Sequence, residues 1–92
     1  MRCIDVAGVD FELVYDDINK PDNNMGMSSL KEGKIYINSC LPEQLKEQTL
    51  IHEWIHMILD DYGFDESTNE KLVCTLANEL YRSGFEIKIK EK

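Results

Sequence analysis

Long apolar runs are missing from this chain. No stretch approaches the ~18 consecutive apolar residues that a membrane span needs, so no membrane segment is expected. Basic charge is scarce too. Ten Lys and Arg stand against eighteen Asp and Glu, for a net charge of −8. Nucleic acid rewards clustered Lys and Arg, so an extended phosphate-binding surface is excluded and no nucleic-acid partner is expected. The alternating Lys88, Lys90 and Lys92 of the tail read as a solvated strand face. Cysteine is sparse and odd in number: Cys3, Cys40 and Cys74 show no CxxC spacing, which argues against a disulfide framework or a thiolate zinc site. A reducing, cytoplasmic setting fits. The stretch Met1 to Asp5 has no signal-peptide core, and Asp5 and Asp10 would interrupt one. Repeats, low-complexity tracts and dividing linkers are also lacking, so residues 1–92 are expected to form one domain.

What the chain does contain is regular patterning. Val9 to Tyr15 alternates apolar and polar residues, as a half-buried strand does. Asn19, Pro21, Asp22, Asn23 and Asn24 mark a loop between Asp16 and Gly26. Met27 to Leu30 and Lys34 to Asn38 flank Lys31-Glu32-Gly33 and read as a hairpin, with Gly33 at a position needing positive φ. A helix follows, with Ser39 as a candidate cap, Pro42 suited to its first position and Gly63 to its stop. Its second half is apolar over more than half the circumference, which makes it the central, buried helix. Ser67-Thr68-Asn69-Glu70 matches a capping box opening a second helix, along which Val73, Leu76, Ala77, Leu80 and Tyr81 form one stripe. Gly84 ends it, and Phe85 to Lys90 alternates as a last strand. The fold class is α+β, a small, mainly antiparallel sheet packed on two helices.

The chemistry lies in His52-Glu53-Trp54-Ile55-His56, an HExxH sequence in the middle of the central helix. Residues four apart on a helix sit one turn above each other, so the two imidazoles project side by side. That spacing suits two positions of a zinc tetrahedron. Glu53, about 100° around the helix, is too displaced to be an equivalent ligand but near enough to reach a metal-bound water as general base. A helical His pair can also serve packing alone. Here, however, these are the only two histidines of the chain, and they lie beside an apolar face where an unpartnered imidazole is costly.

A third ligand is needed. In an HExxHxxGxxH arrangement Leu59 would stand in place of Gly and Tyr62 in place of His, so that class is excluded. A glutamate from the following helix remains. Glu70 is the first candidate because it continues into the inward stripe through Cys74, Ala77 and Tyr81; Glu66 and Asp65 compete. Closure of the capping box is the alternative role for Glu70. Cys74 reads as a small buried packing residue, and Cys40 as a thiol near a helix N-terminus.

The segment Leu50 to Leu59, with Asn69-Glu70 opening the next helix, resembles the ImmA/IrrE family of small zinc metallopeptidases. Gly33 to Asn38 and Leu41-Pro42-Glu43 are similar to its phage-type members. HExxH followed by a glutamate helix is the general gluzincin pattern, seen also in thermolysin-like enzymes. The resemblance implies a minimal zincin-like domain that hydrolyses peptide bonds with Zn2+ on His52, His56 and Glu70 and with Glu53 as base. It also implies an edge strand, expected at Ile35 to Asn38, lying antiparallel to an extended peptide or protein substrate, which in some members is a repressor or regulator. The chain departs from the thermolysin-like pattern at Cys74, where an aspartate would orient His52. Tyr36, Tyr62 and Tyr81 are the candidate oxyanion donors. The alternative is a non-catalytic regulatory or binding module of phage or mobile-element origin that retains the zinc site.

Overall fold

Alternating apolar side chains build one face of a sheet, and a helix covers that face. The computed structural model describes residues 1–16 and 25–92; the loop expected at Asn19 to Asn24 lies outside the described residues. The strands are β1 (Arg2–Val6), β2 (Val9–Asp16), β3 (Gly26–Ser29), β4 (Lys34–Asn38) and β5 (Lys90–Glu91), and the helices are α1 (Glu43–Asp61) and α2 (Glu70–Arg82). The sheet order is β3-β4-β2-β1-β5.

The fold is thus α+β with a mixed five-stranded sheet. Three pairings are antiparallel, but β2 and β4 run parallel, with Leu13 opposite Ile35 and Tyr15 opposite Ile37. The hairpin of β3 and β4 forms as expected, with Met27 opposite Tyr36 and Gly33 at φ 68°. β1 was not anticipated. It joins β2 through Ala7 and Gly8, both at positive φ (51° and 88°), a two-residue turn whose twist matches that of the strands. The expected last strand is reduced to Lys90–Glu91, paired with Arg2 and Cys3. Phe85 and Ile87 instead pack against the helices and the sheet.

Two apolar clusters explain why α1 is hydrophobic around so much of its surface. Ile4, Val6, Phe11, Leu13, Ile35 and Ile37 of the sheet enclose Leu50 and Met57, seven residues apart on one side of α1. Ile51 and Ile55, four apart and turned away from the sheet, meet Val73 and Ala77 of α2. Trp54 bridges the clusters and donates its indole N–H to the Asp5 carbonyl at 2.9 Å. With sheet and α2 occupying those directions, one strip of α1 is left to face a cleft, and it carries His52 and His56.

The helix ends differ from expectation in ways that matter for the site. Pro42, not Ser39, is the N-cap of α1; its carbonyl accepts the first helical bond from Lys46 at 3.0 Å. At the other end Gly63 (φ 80°) allows Phe64 N–H to reach the Leu59 carbonyl at 2.9 Å and Gly63 N–H the Asp60 carbonyl at 3.0 Å, a Schellman closure. The chain then makes a short 3₁₀ turn, Asp65–Thr68. The capping box does not form: Asn69 is the N-cap of α2, its side chain accepting from Leu72 N–H at 3.1 Å. Ser67 belongs to the 3₁₀ turn, and Glu70, the first helical residue, is released from capping.

Candidate metal centre

Each of the residues singled out by the HExxH pattern is delivered by a local feature just described. His52 and His56 stack one turn apart on α1, with ring centroids 4.8 Å apart and Nε2 atoms 3.1 Å apart. Side chains at a helix start lean back along the axis, so Glu70 at the first position of α2 reaches across to both rings. Its Oε1 lies 2.7 Å from His56 Nε2 and its Oε2 3.3 Å from His52 Nε2. His52, His56 and Glu70 each offer a ligand atom, all within 4.8 Å of one another. Glu66 and Asp65 stand exposed in the 3₁₀ turn and do not join this group.

The hydrogen-bond roles around His56 are decisive. Its Nδ1 lies 2.5 Å from the Ser67 carbonyl, which can only accept, so Nδ1 carries the proton. In a neutral ring Nε2 is then a bare lone pair, 2.7 Å from a carboxylate oxygen. At that distance the two atoms are bridged either by a second imidazole proton, as in a charged His56–Glu70 pair, or by a bound cation. The Nε2 atoms of His52 and His56 and the carboxylate of Glu70 converge here, and with both Nε2 atoms unprotonated this is a donor set suited to zinc. Ligand atoms on a tetrahedral zinc lie about 3.3 Å apart; the 3.1 Å between the two Nε2 atoms matches, and the 2.7 Å between His56 Nε2 and Glu70 Oε1 needs to open by about 0.6 Å.

Glu53 points to the other side of the histidine strip, toward β3, where its Oε1 accepts from Ser28 Oγ at 2.9 Å. Glu53 also lines the same cleft as His52 and Glu70. Gly26 of β3 lies against α1: a Cβ there would sit 2.8 Å from Thr49 Cγ2 and 2.9 Å from the Tyr36 carbonyl. The cleft, about 430 Å³, runs between α1 and α2, with Leu45, Gln48 and Thr49 on one wall and Cys74, Ala77 and Asn78 on the other. Past the histidines it continues as a shallower groove bounded by β3, Asp60, Ser67 and Thr68.

Several expectations change. β4 is an interior strand between β3 and β2, so among the described residues the edge strand beside the cleft is β3, Gly26–Ser29; periodicity alone does not say which neighbour a strand takes. Cys74 is exposed, not buried packing, and its Sγ lies 3.7 Å from His52 Nδ1. None of the three tyrosines lines the cleft. The Tyr36 hydroxyl donates to Glu32 at 3.1 Å, and its ionisation is pushed up by desolvation and then by that carboxylate. Tyr62 projects from the end of α1, and Tyr81 packs beside the α1–α2 cluster. Ser28 and the Ser67 carbonyl had not been singled out. Ser28 carried a signal, since it is a polar residue opposite the buried Ile35 on the core-facing side of its strand. The Ser67 carbonyl, a backbone atom, carried none.

No protein-family model, curated protein or solved structure matches the chain. Among the described residues, no helix is long and apolar enough to cross a membrane.

Proposed function

We propose that the protein is a zinc-dependent metallopeptidase with a minimal zincin-like fold, of the ImmA/IrrE type that its HExxH helix and glutamate helix resemble, acting in the cytoplasm on a peptide or protein such as a regulator. One observation carries this reading: the Nε2 atoms of His52 and His56 and the carboxylate of Glu70 converge, with the ligand atoms within 4.8 Å of one another, while the Ser67 carbonyl accepts from His56 Nδ1 and so turns Nε2 toward that point. His52, His56 and Glu70 would hold the ion, which when bound would supply Lewis-acid polarisation and a water acidic enough to react near neutral pH.

The remaining chemistry belongs to the chain. Ser28 engages Glu53 Oε1, which leaves Oε2 to take a proton from water and return it to the leaving amine. Among the described residues β3 is an edge strand, and an extended peptide would add to its outer side as a further strand. An antiparallel peptide would run from the Ser28 end of the cleft toward the Met25 end.

A second reading, a regulatory module that keeps the metal and cleaves nothing, is favoured by a different observation. Among the described residues, no tyrosine, third imidazole or guanidinium lines the cleft to stabilise an oxyanion. Glu53→Gln separates the two. On the peptidase reading it keeps stoichiometric zinc and loses hydrolysis of a diverse peptide library by at least about a hundredfold. Equal activity in both proteins, or none in either, supports the module.

A further inference from the structure

The two imidazoles are held from behind by different partners. His56 Nδ1 faces a backbone carbonyl, a hard acceptor that leaves only one tautomer. The neighbour of His52 Nδ1 is the sulfur of Cys74, 3.7 Å away. The need for a partner there is sharp. A neutral His52 without one is free to carry its proton on Nε2, where Glu70 Oε2 at 3.3 Å would accept it. A proton on that atom occupies the lone pair with which His52 would bind an ion.

We propose that Cys74 is the positioning residue of His52: its sulfur accepts the Nδ1–H bond and so holds the neutral ring with its Nε2 lone pair turned toward His56 and Glu70. The proposal rests on the metal-centre reading above. Its geometry follows from the fold, because Cys74 lies one turn beyond Glu70 on α2, and residues four apart share a helix face. One helix therefore presents the third ligand to the front of the imidazoles and the outer partner to the back of one of them. Cys74 is exposed on the cleft wall, so replacing it leaves no buried cavity, and the effects of substitution report on the contact to His52. Sulfur is a weak acceptor, so the centre is held less firmly on the His52 side than on the His56 side, and a carboxylate at position 74 should hold it better.

The test uses the full chain with two readouts. In the metal-free protein, nitrogen-15 shifts of the His52 ring report its tautomer. Wild type and Cys74→Asp should show mainly Nδ1–H, and Cys74→Ala should shift toward Nε2–H. Zinc affinity, measured by competition with a chromophoric chelator, should fall about tenfold in Cys74→Ala and rise above wild type in Cys74→Asp, in line with the ~10–100-fold effects of outer partners on metal affinity. Thr75→Ala, the adjacent exposed position, should change neither. An unchanged tautomer in Cys74→Ala overturns the proposal, as does zinc affinity equal to wild type in both Cys74 variants. If the wild type itself binds no zinc, the metallopeptidase reading falls, and the tautomer of the metal-free ring still decides whether Cys74 positions His52.

Discussion

Replacing Glu70 by alanine removes the carboxylate that, among the described residues, touches both imidazoles, at 2.7 and 3.3 Å. The size of the effect follows from the ion's overall binding energy. Structural zinc contributes about 10–16 kcal/mol through four ligands, or about 3 kcal/mol for each, and 1.36 kcal/mol is a factor of ten. Zinc affinity should therefore fall by roughly two orders of magnitude in Glu70→Ala. The helix start itself should hardly notice, because the cap is Asn69, whose side chain accepts from Leu72 N–H. Asn69→Ala is accordingly the opposite case. It should cost about 1 kcal/mol of stability and shift the melting temperature of the metal-free protein, with zinc affinity nearly unchanged. Glu66→Ala, in the exposed 3₁₀ turn, should alter neither. The assay is chelator competition for affinity, paired with thermal unfolding of the metal-free variants. Wild-type zinc affinity in Glu70→Ala, or loss of zinc in Glu66→Ala, would refute the assignment of the third ligand.

Two further outcomes follow from the fold. Gly26→Ala should destabilise the protein by about 1–3 kcal/mol, the usual cost of overpacking, because its Cβ would sit 2.8 Å from Thr49 Cγ2 and 2.9 Å from the Tyr36 carbonyl; denaturant unfolding measures it, and wild-type stability would contradict the close approach of β3 to α1. Hydrogen bonds from Lys90 and Lys92 hold the Asp10 carboxyl down at about 2, from an ordinary value of 3.8. A depressed folded-state value means that this pair contributes to stability above pH ~4 and loses that contribution as pH falls through about 2. Amide exchange protection at β5 should therefore drop across that window in wild type and be insensitive to it in Asp10→Asn.

The parts of the site that were legible in the sequence are those fixed by helical spacing. His52 and His56 share a strip of α1 whatever else the chain does, and the double apolar face formed by Leu50, Met57, Ile51 and Ile55 already marked α1 as central. Glu70 was legible as an acid on the face of α2 that meets the histidines, but its side chain is 66% exposed and not turned inward, and the residue that frees it was not legible. Ser67 and Asn69 are both good caps, and the 3₁₀ turn that hands the role to Asn69 depends on how the chain leaves Gly63. Strand pairing was least legible. The alternation in β4 fixes which face is buried but not which strands lie beside it, so its parallel partnership with β2 and its interior position went unread. β1 holds Ile4 and Val6 at the right period, yet its charged neighbours Arg2 and Asp5 keep the run short of a clear strand signal. The Phe85 to Ile89 segment had that signal and forms no ladder there, because Phe85 and Ile87 are satisfied by packing alone.

The central claim, that His52, His56 and Glu70 form a zinc centre with a site left open for water, is tested most directly by X-ray absorption on the protein loaded with one equivalent of zinc. The expected result is stoichiometric zinc with a shell of nitrogen and oxygen only, at about 2.0–2.2 Å. It should include two imidazoles, and their signature should be lost in His56→Ala. Failure to retain zinc, or a sulfur neighbour near 2.3 Å, which would draw Cys74 into the shell, would contradict it.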